Sequence, residues 1–332
     1  MKRIALIRAV LTGALRKFLV VAVVSMAGIC LLAQQASHTP VNKDQVDRWM
    51  TELSNSGRWG KDDRLGALNL VTPAKKREAM ALARQGIVVS LEQPIKVVPK
   101  PDETKADGKP HGVSFYEIRF KTFPADDPRG NPGFTSDVQE YHVHGGMTHL
   151  DALCHDSSDG KLYNGYSLTN TVNETTGCTT LGLDNLKEGI VTRGVLVDMS
   201  RVKRTSPREA GNRVYVEDLE AWEKQTAVKV SAGDALFVYN DGRNGGFDIS
   251  VAPWMKTRGV AVTSGVRAVA DDNHADHRLV LVALGTYLLD GVDLKELAET
   301  AARLNRWTFL LVIAPLRAPG SSGSLVNPLA MF

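Results

Sequence analysis

Apolar and polar positions along the chain follow two periods, and the switches between them mark out strands and helices. Ile87-Val88-Val89-Ser90-Leu91 is a β-branched run that predicts a strand. Tyr116 to Lys121 alternates apolar with charged residues, the mark of a half-exposed strand. Gly194–Asp198, Ala235–Tyr239, Gly259–Val262 and Trp307–Ala314 are further runs of strand length, and Val138 to Thr148 reads as extended. Helical spacing links Leu294, Leu297, Ala298, Ala301 and Leu304. Thr72-Pro73 reads as an N-cap and first helical residue, with the helix running to about Arg84 and stopping at Gln85-Gly86. A turn or two of helix is expected around Val46–Leu53, another helix from near Tyr215–Asp218, and another over the apolar Leu279–Leu288. Proline- and glycine-rich stretches at 94–112 and 124–137 read as loops. Strands interspersed with helices, without an internal repeat or a dividing linker, predict a single α/β domain over 37–332.

The N-terminus stands apart from that pattern. Lys2, Arg3, Arg8, Arg16 and Lys17 occur with no acidic residue among them, and an apolar run follows from Phe18 to Ala33. The run is shorter than the ~20 residues a membrane span needs. Small residues at Ala33 and Ala36 suit a signal peptidase, so residues 1–36 read as a signal peptide that is removed. The expected product is periplasmic or secreted, without stable membrane insertion after processing. An uncleaved anchor is the competing reading; Ile29 before Cys30 makes lipid attachment a poor fit.

Removing this segment changes the charge. The whole chain carries +3, but five positive charges leave with residues 1–36, so the remainder is near −2. A nucleic-acid partner is therefore not expected. Arg201, Lys203, Arg204 and Arg208 read as a solvated basic loop. Cys154 and Cys178 remain as a pair that an oxidising compartment would allow to bond. A chain of this length does not need such a staple, which favours two free thiols.

One stretch concentrates the chemistry. His142-Val143-His144-Gly145-Gly146-Met147-Thr148-His149-Leu150-Asp151-Ala152-Leu153-Cys154-His155 holds four of the chain's eight histidines. On an extended strand, residues two apart share a face, so His149 and Asp151 project together. His142 and His144 share a face too, and the Gly-Gly pair lets the chain bend them toward the first two. Imidazole with carboxylate suits zinc, manganese or iron(II). A glycine-rich surface loop would account for one such histidine but not for four with an interleaved aspartate.

Asp156 and Asp159 read as turn formers, and Asn173-Glu174-Thr175 as a commonplace glycosylation match. A second polar group, Asp271 to His277, precedes the apolar stretch that Asp290 ends. Alone, Asp290 reads as a turn residue; a metal site short of ligands reverses that reading. Trp59, Phe115 and Tyr116 could form an apolar substrate wall, although core packing accounts for each.

With these residues in view, the chain resembles the cyclase family that includes bacterial kynurenine formamidases and isatin hydrolases. The resemblance runs from Arg58-Trp59-Gly60 and Leu68–Pro73, through Thr192–Asp198, to Ala314-Pro315-Leu316 and Gly323–Pro328. At its centre is Thr148-His149-x-Asp151-x-x-x-His155, matching the second half of the family's His-x-Gly-Thr-His-x-Asp signature and the histidine after it. The resemblance implies His149 and Asp151 as metal ligands and His155 as the acid/base. It also implies His277 as the downstream ligand, with His274 as the alternative, and Asp290 in the place of a family glutamate. Where the family has its first histidine this chain has Gly145, and His144 or His142 would have to serve through a bulge.

The implied fold is the family's swivelling β/β/α, barrel-like domain with mixed sheets, usually a homodimer or homotetramer. The implied activity is hydrolysis of a small-molecule amide or cyclic amide with Zn2+ or Mn2+. A metal-dependent lyase or cyclase, and a non-catalytic periplasmic metal or ligand binder, are the competing functions.

Overall fold

Strands buried on both faces need apolar side chains on both, and the unbroken apolar runs of the chain become the centre of its main sheet. The computed structural model describes residues 38, 40–98, 115–123, 133–144, 146–202, 213–240 and 246–332. The expected signal peptide, Gly145, and Lys203, Arg204 and Arg208 lie outside the described residues. Val41–Arg204 and Arg208–Phe332 make one compact unit.

Its strands, in chain order, are β1 (Val88–Ser90), β2 (Tyr116–Phe123), β3 (Phe134–Tyr141), β4 (His149–Asp151), β5 (Val172–Asn173), β6 (Gly177–Cys178), β7 (Ile190–Asp198) and β8 (Arg213–Val214). They continue with β9 (Ala235–Tyr239), β10 (Gly246–Asp248), β11 (Val262–Thr263), β12 (Val266–Arg267), β13 (Tyr287–Asp290), β14 (Thr308–Ile313), β15 (Gly323–Leu325) and β16 (Leu329–Met331). Nine form one curled mixed sheet, ordered β1-β16-β14-β7-β9-β11-β13-β4-β15. The central β7, β9, β11 and β13 run parallel, and every other neighbouring pair in this sheet is antiparallel. β8, β10 and β12 form a small parallel sheet, and β2–β3 and β5–β6 are hairpins.

The helices are α1 (Lys43–Glu52), α2 (Pro73–Met80), α3 (Leu168–Thr171), α4 (Val216–Thr226), α5 (Ala252–Arg258), α6 (Ala275–His277) and α7 (Lys295–Leu304). The Thr72 side chain caps α2 by accepting from Lys75 N, with Pro73 at the first position. No described helix is long and apolar enough to cross a membrane. The mixed α/β architecture is the one the resemblance implies.

Several boundaries differ from the sequence expectation. Helix α2 ends at Met80, not Arg84, because the chain then turns to the sheet edge, where Gln85 N donates to Phe332 O at 2.9 Å. The stretch Leu279–Leu288 is helical only to Ala283, as a π-helical turn continuing α6. Gly285, at φ +63°, then reverses the chain into β13. An all-apolar run carries no period, so a buried helix and a buried strand look alike there. Phe134–Asp137 belong to β3, not to a loop, and the extended stretch expected over 138–148 breaks after Tyr141. Gly259 is the left-handed C-cap of α5, and the strand expected at 259–262 is Val262–Thr263.

Cys154 and Cys178 are joined in a disulfide, against the expectation of free thiols. Chain length argues only about the need for a staple, not about whether the fold brings two sulfurs together.

Candidate metal centre

The site grows out of one ladder. Strand β4 lies between β13 and β15, and Asp290 stands directly opposite His149 in the β4–β13 register. Opposed residues of an antiparallel pair share a face, and so do residues two apart along one strand. His149, Asp151 and Asp290 therefore point into the same space, and their ligand atoms lie within 4.8 Å of one another. A second group, His144, Asp151 and His155, meets the same closeness and shares Asp151 with the first.

Asp151 is the hub. It is wholly buried, with His144 Nδ1 at 3.0 Å and His149 Nε2 at 3.3 Å from its Oδ1, and His277 Nε2 at 3.7 Å from its Oδ2. His277 Nε2 also lies 3.7 Å from Asp290 Oδ2. All four are close polar contacts, and the two at 3.7 Å lie beyond hydrogen-bond distance. Among the described residues, neither Asp151 oxygen nor His144 Nδ1, all of them buried, has a hydrogen-bond partner. A buried carboxylate left that way costs several kcal/mol unless a positive charge compensates it. Nitrogen and oxygen donors in two groups that share Asp151, with His277 in neither group but 3.7 Å from both carboxylates, fit a divalent ion.

Neighbouring acceptors set the orientation of two histidines. His149 Nδ1 lies 2.7 Å from the Met147 carbonyl, which can only accept. Nδ1 therefore carries a proton, and in the neutral form of the ring Nε2 faces Asp151 with a lone pair. His277 Nδ1 lies 3.1 Å from Asp276 Oδ1, so that in the neutral form of the ring Nε2 is the free nitrogen toward Asp151 and Asp290. Such partners fix a ligand's tautomer and raise its basicity. His144 Nε2 contacts Ser322 Oγ at 3.3 Å, and its ring stacks on His155 with centroids 3.8 Å apart.

The electrostatics follow from burial and this crowding. Burial works against ionised Asp151, but His144 and His149 outweigh it and hold its carboxyl well below the usual range. Burial also opposes the charged forms of His149 and His277; for His149 the Asp151 carboxylate and the Met147 carbonyl prevail and raise its pKa. For His277 the Asp276, Asp151 and Asp290 carboxylates push it up to about 9. Burial and the Asp151 charge raise Asp290. His155 goes the other way: burial, with His144 and His277 beside it, lowers it to about 4, so its ring is neutral at pH 7.

Of the sequence candidates, His144, His149, Asp151, His155, His277 and Asp290 are thus brought together. His274 is exposed and reaches Asp156 at 3.5 Å instead, which separates it from His277. His142 stands one ring further out, 6.3 Å from His144, and belongs to neither ligand group. Gly146 takes φ +83° where the chain bends between His144 and His149, although Gly145 lies outside the described residues. Asp276 and Ser322, which contact two of these histidines, carried no signal of that contact in the sequence.

A cleft of about 660 Å³ opens beside the centre, with Asp276 and Asp290 in its wall. A smaller one of about 230 Å³ is lined by Phe115, Tyr116, Gly146 and Met147. Gln93, Pro94 and Lys96 border both. Phe115 and Tyr116 accordingly stand at a cavity wall, whereas Trp59 stacks under the Arg58 guanidinium.

A model of the Cyclase family matches residues 80–273. Among solved structures, a novel cyclase is 28% identical, with a TM-score of 0.70, covering 85% of this chain and 99% of its own. Isatin hydrolase A from Ralstonia solanacearum is 19% identical at a TM-score of 0.49, covering 74% of this chain and 91% of its own. A predicted metal-dependent hydrolase from Bacillus stearothermophilus is 17% identical at 0.43, covering 74% and 97%. No curated protein matches the chain.

Proposed function

The chain belongs to the Cyclase family, and on that premise we propose that it hydrolyses the C–N bond of a small amide or cyclic amide with Zn2+ or Mn2+. The observation that carries this reading is the buried Asp151 carboxylate, without a hydrogen-bond partner among the described residues, with four imidazoles and Asp290 around it. His149 Nε2, Asp151, Asp290, His277 Nε2 and His144 Nδ1 are the atoms that would hold the ion. Such an ion supplies Lewis-acid polarisation of a carbonyl and lowers the pKa of water from about 15.7 toward ~7.

The remaining work falls to side chains. His155, neutral at pH 7, takes a proton from the attacking water and returns it to the leaving nitrogen. Its stack on His144 keeps the ring facing the centre. The adjoining cleft has room for a substrate, and Lys96 on its rim offers a positive charge to one that carries an anionic group.

The same reading makes the protein an exported homodimer or homotetramer. The Cys154–Cys178 bond supports export, because disulfides persist in oxidising compartments.

The test is metal analysis of the purified protein, followed by isatin and N-formylaniline as substrates with Zn2+ or Mn2+ restored. Bound metal and a new carboxylate carrying 18O from labelled water support the reading. Turnover without 18O uptake would favour a lyase or cyclase, and metal without any turnover a binding protein.

A further inference from the structure

We propose that the Cys154–Cys178 disulfide is a positioning device for the site, holding the His155 ring in its stack against His144. The inference rests on the reading of these two histidines as parts of the working centre.

The β4 ladder ends at Asp151, and Ala152 adds one more anchor by donating to the Ser322 carbonyl at 2.9 Å. From there the chain makes a four-residue turn, closed by His155 N donating to the Ala152 carbonyl at 3.0 Å. His155 therefore lies beyond the strand, and the covalent tie of its backbone is the sulfur of the residue before it.

At the other end of the bridge, Cys178 N donates to the Gly320 carbonyl at 2.9 Å. The two backbones meet so closely that a Cβ on Gly177 would stand 2.1 Å from Gly320 O. Only glycine fits at that crossing. The bridge thus fastens the turn bearing His155 to the segment that begins at Gly320.

That segment also holds His144. Ser322 Oγ lies 3.3 Å from His144 Nε2, and a Cβ on Gly323 would stand 2.6 Å from His144 Cε1. The ring of His144 rests on the bare Gly323 backbone on one side and stacks on His155, at an interplanar angle of 10°. Cys154, Cys178, Gly320, Ser322, His144 and His155 form a closed circuit, and the disulfide is its one covalent link across the fold. The opposite pole of the centre, His149 with Asp290, is held by the β4–β13 and β4–β15 ladders and does not pass through the bridge.

The two poles should respond differently when the bridge is opened. Dithiothreitol supplies two electrons and two protons, leaving two thiols and its own cyclic disulfide. The experiment uses the metal-free mature chain in three forms: oxidised, reduced, and Cys154→Ala/Cys178→Ala. Its readout is the imidazole Cε1–H NMR signals, which report ring stacking directly.

We expect the His144 and His155 signals to move most in the reduced and double-variant proteins, and the ladder-held His149 ring, edge-on to His144 at 5.1 Å, to move less. Reoxidation of the wild type should restore them. Cobalt(II), added as a probe, should show an altered visible spectrum in the same two forms. Turnover should fall roughly a hundredfold, the scale of a misplacement of about 1 Å.

If the melting temperature drops while the His144 and His155 signals stay in place, the bridge is a general staple and the proposal is overturned. If the double variant does not fold, reversible reduction of the wild type at 25 °C gives the same decision. Failure of cobalt to bind would sink the proposed function, yet the metal-free spectra would still decide this inference.

Discussion

His149 and Asp290 stand opposite one another in the antiparallel register of β4 and β13, which puts an imidazole and a carboxylate from distant parts of the chain on one face. Asp151 joins them from two residues along β4. Three donors are thus positioned by sheet hydrogen bonding alone, before any loop is considered. A rigid ladder is a better frame for a metal than a loop, because donor spacing is set by the backbone.

The first prediction follows from that frame. His149→Ala and Asp151→Ala should each lose the bound ion, since no neighbouring side chain reaches the vacated position. Elemental analysis of the purified variants measures it directly. Full metal occupancy in His149→Ala would show that the ladder residues are not the ligands.

The second concerns His155. His155→Ala should keep most of the metal held by His149, Asp151, Asp290 and His277 but lose turnover by roughly 10²–10⁴-fold, the usual contribution of a positioned acid/base. Metal content and rate should be measured on one preparation. Loss of metal in proportion to rate would instead make His155 a ligand, the role open to it through its grouping with His144 and Asp151.

The third is a prediction of stability away from the site. Gly194 lies in β7 beneath the Phe309 ring, where an added Cβ would come within 2.1 Å of Phe309 Cε2. Both residues are held in a ladder, with Gly194 paired to Phe309 across β7 and β14. Gly194→Ala should therefore destabilise the fold by about 1–3 kcal/mol, the cost of overpacking a core. Denaturant melts of the two proteins test it, and an unchanged midpoint would mean that the ring moves aside freely.

The strands and helices with a clear period were legible in the sequence, and the places where legibility failed share one cause. Residues 194–198 and 235–239 are apolar runs of strand length, and both lie in central strands, the first of which starts earlier, at Ile190. Tyr287–Leu289 have the same composition but follow a helical turn without any polar break, so nothing local marks where the helix stops. The role of Gly285 there depends on Tyr163, whose ring would lie 2.4 Å from an added Cβ. That is a tertiary contact, invisible to a local pattern.

In the site the same division holds. His149 and Asp151 could be paired from strand geometry, and His155 came with the motif, whereas the motif's first histidine falls on Gly145 and leaves His144 and His142 open as its replacement. His277 could not be separated from His274 by residue type, because both follow the same acidic cluster; the turn of α6 decides between them. The disulfide was equally hidden, since Cys154 and Cys178 meet only through the packing of the β5–β6 hairpin against Gly320.

The last prediction concerns Asp276, which immediately precedes His277. Its Oδ1 lies 3.1 Å from His277 Nδ1, so it holds the proton on that nitrogen and leaves Nε2 for the centre. Without it, the ring is free to rotate or to change tautomer, and either presents the wrong atom. Asp276→Ala should therefore weaken Zn2+ or Mn2+ binding roughly 10–100-fold, the usual effect of removing a carboxylate behind a ligating histidine. Asp276→Asn keeps an acceptor oxygen at the same place and should recover part of the loss. Asp272→Ala, in the same acidic cluster, serves as the control, because it removes the ion pair with Arg278 and the hydrogen bond from His274 N but no contact of the His277 ring. Competition titration against a metal-binding dye compares the three variants. Equal affinities for Asp276→Ala and wild type would show that His277 is oriented by the fold alone, or that it is not a ligand.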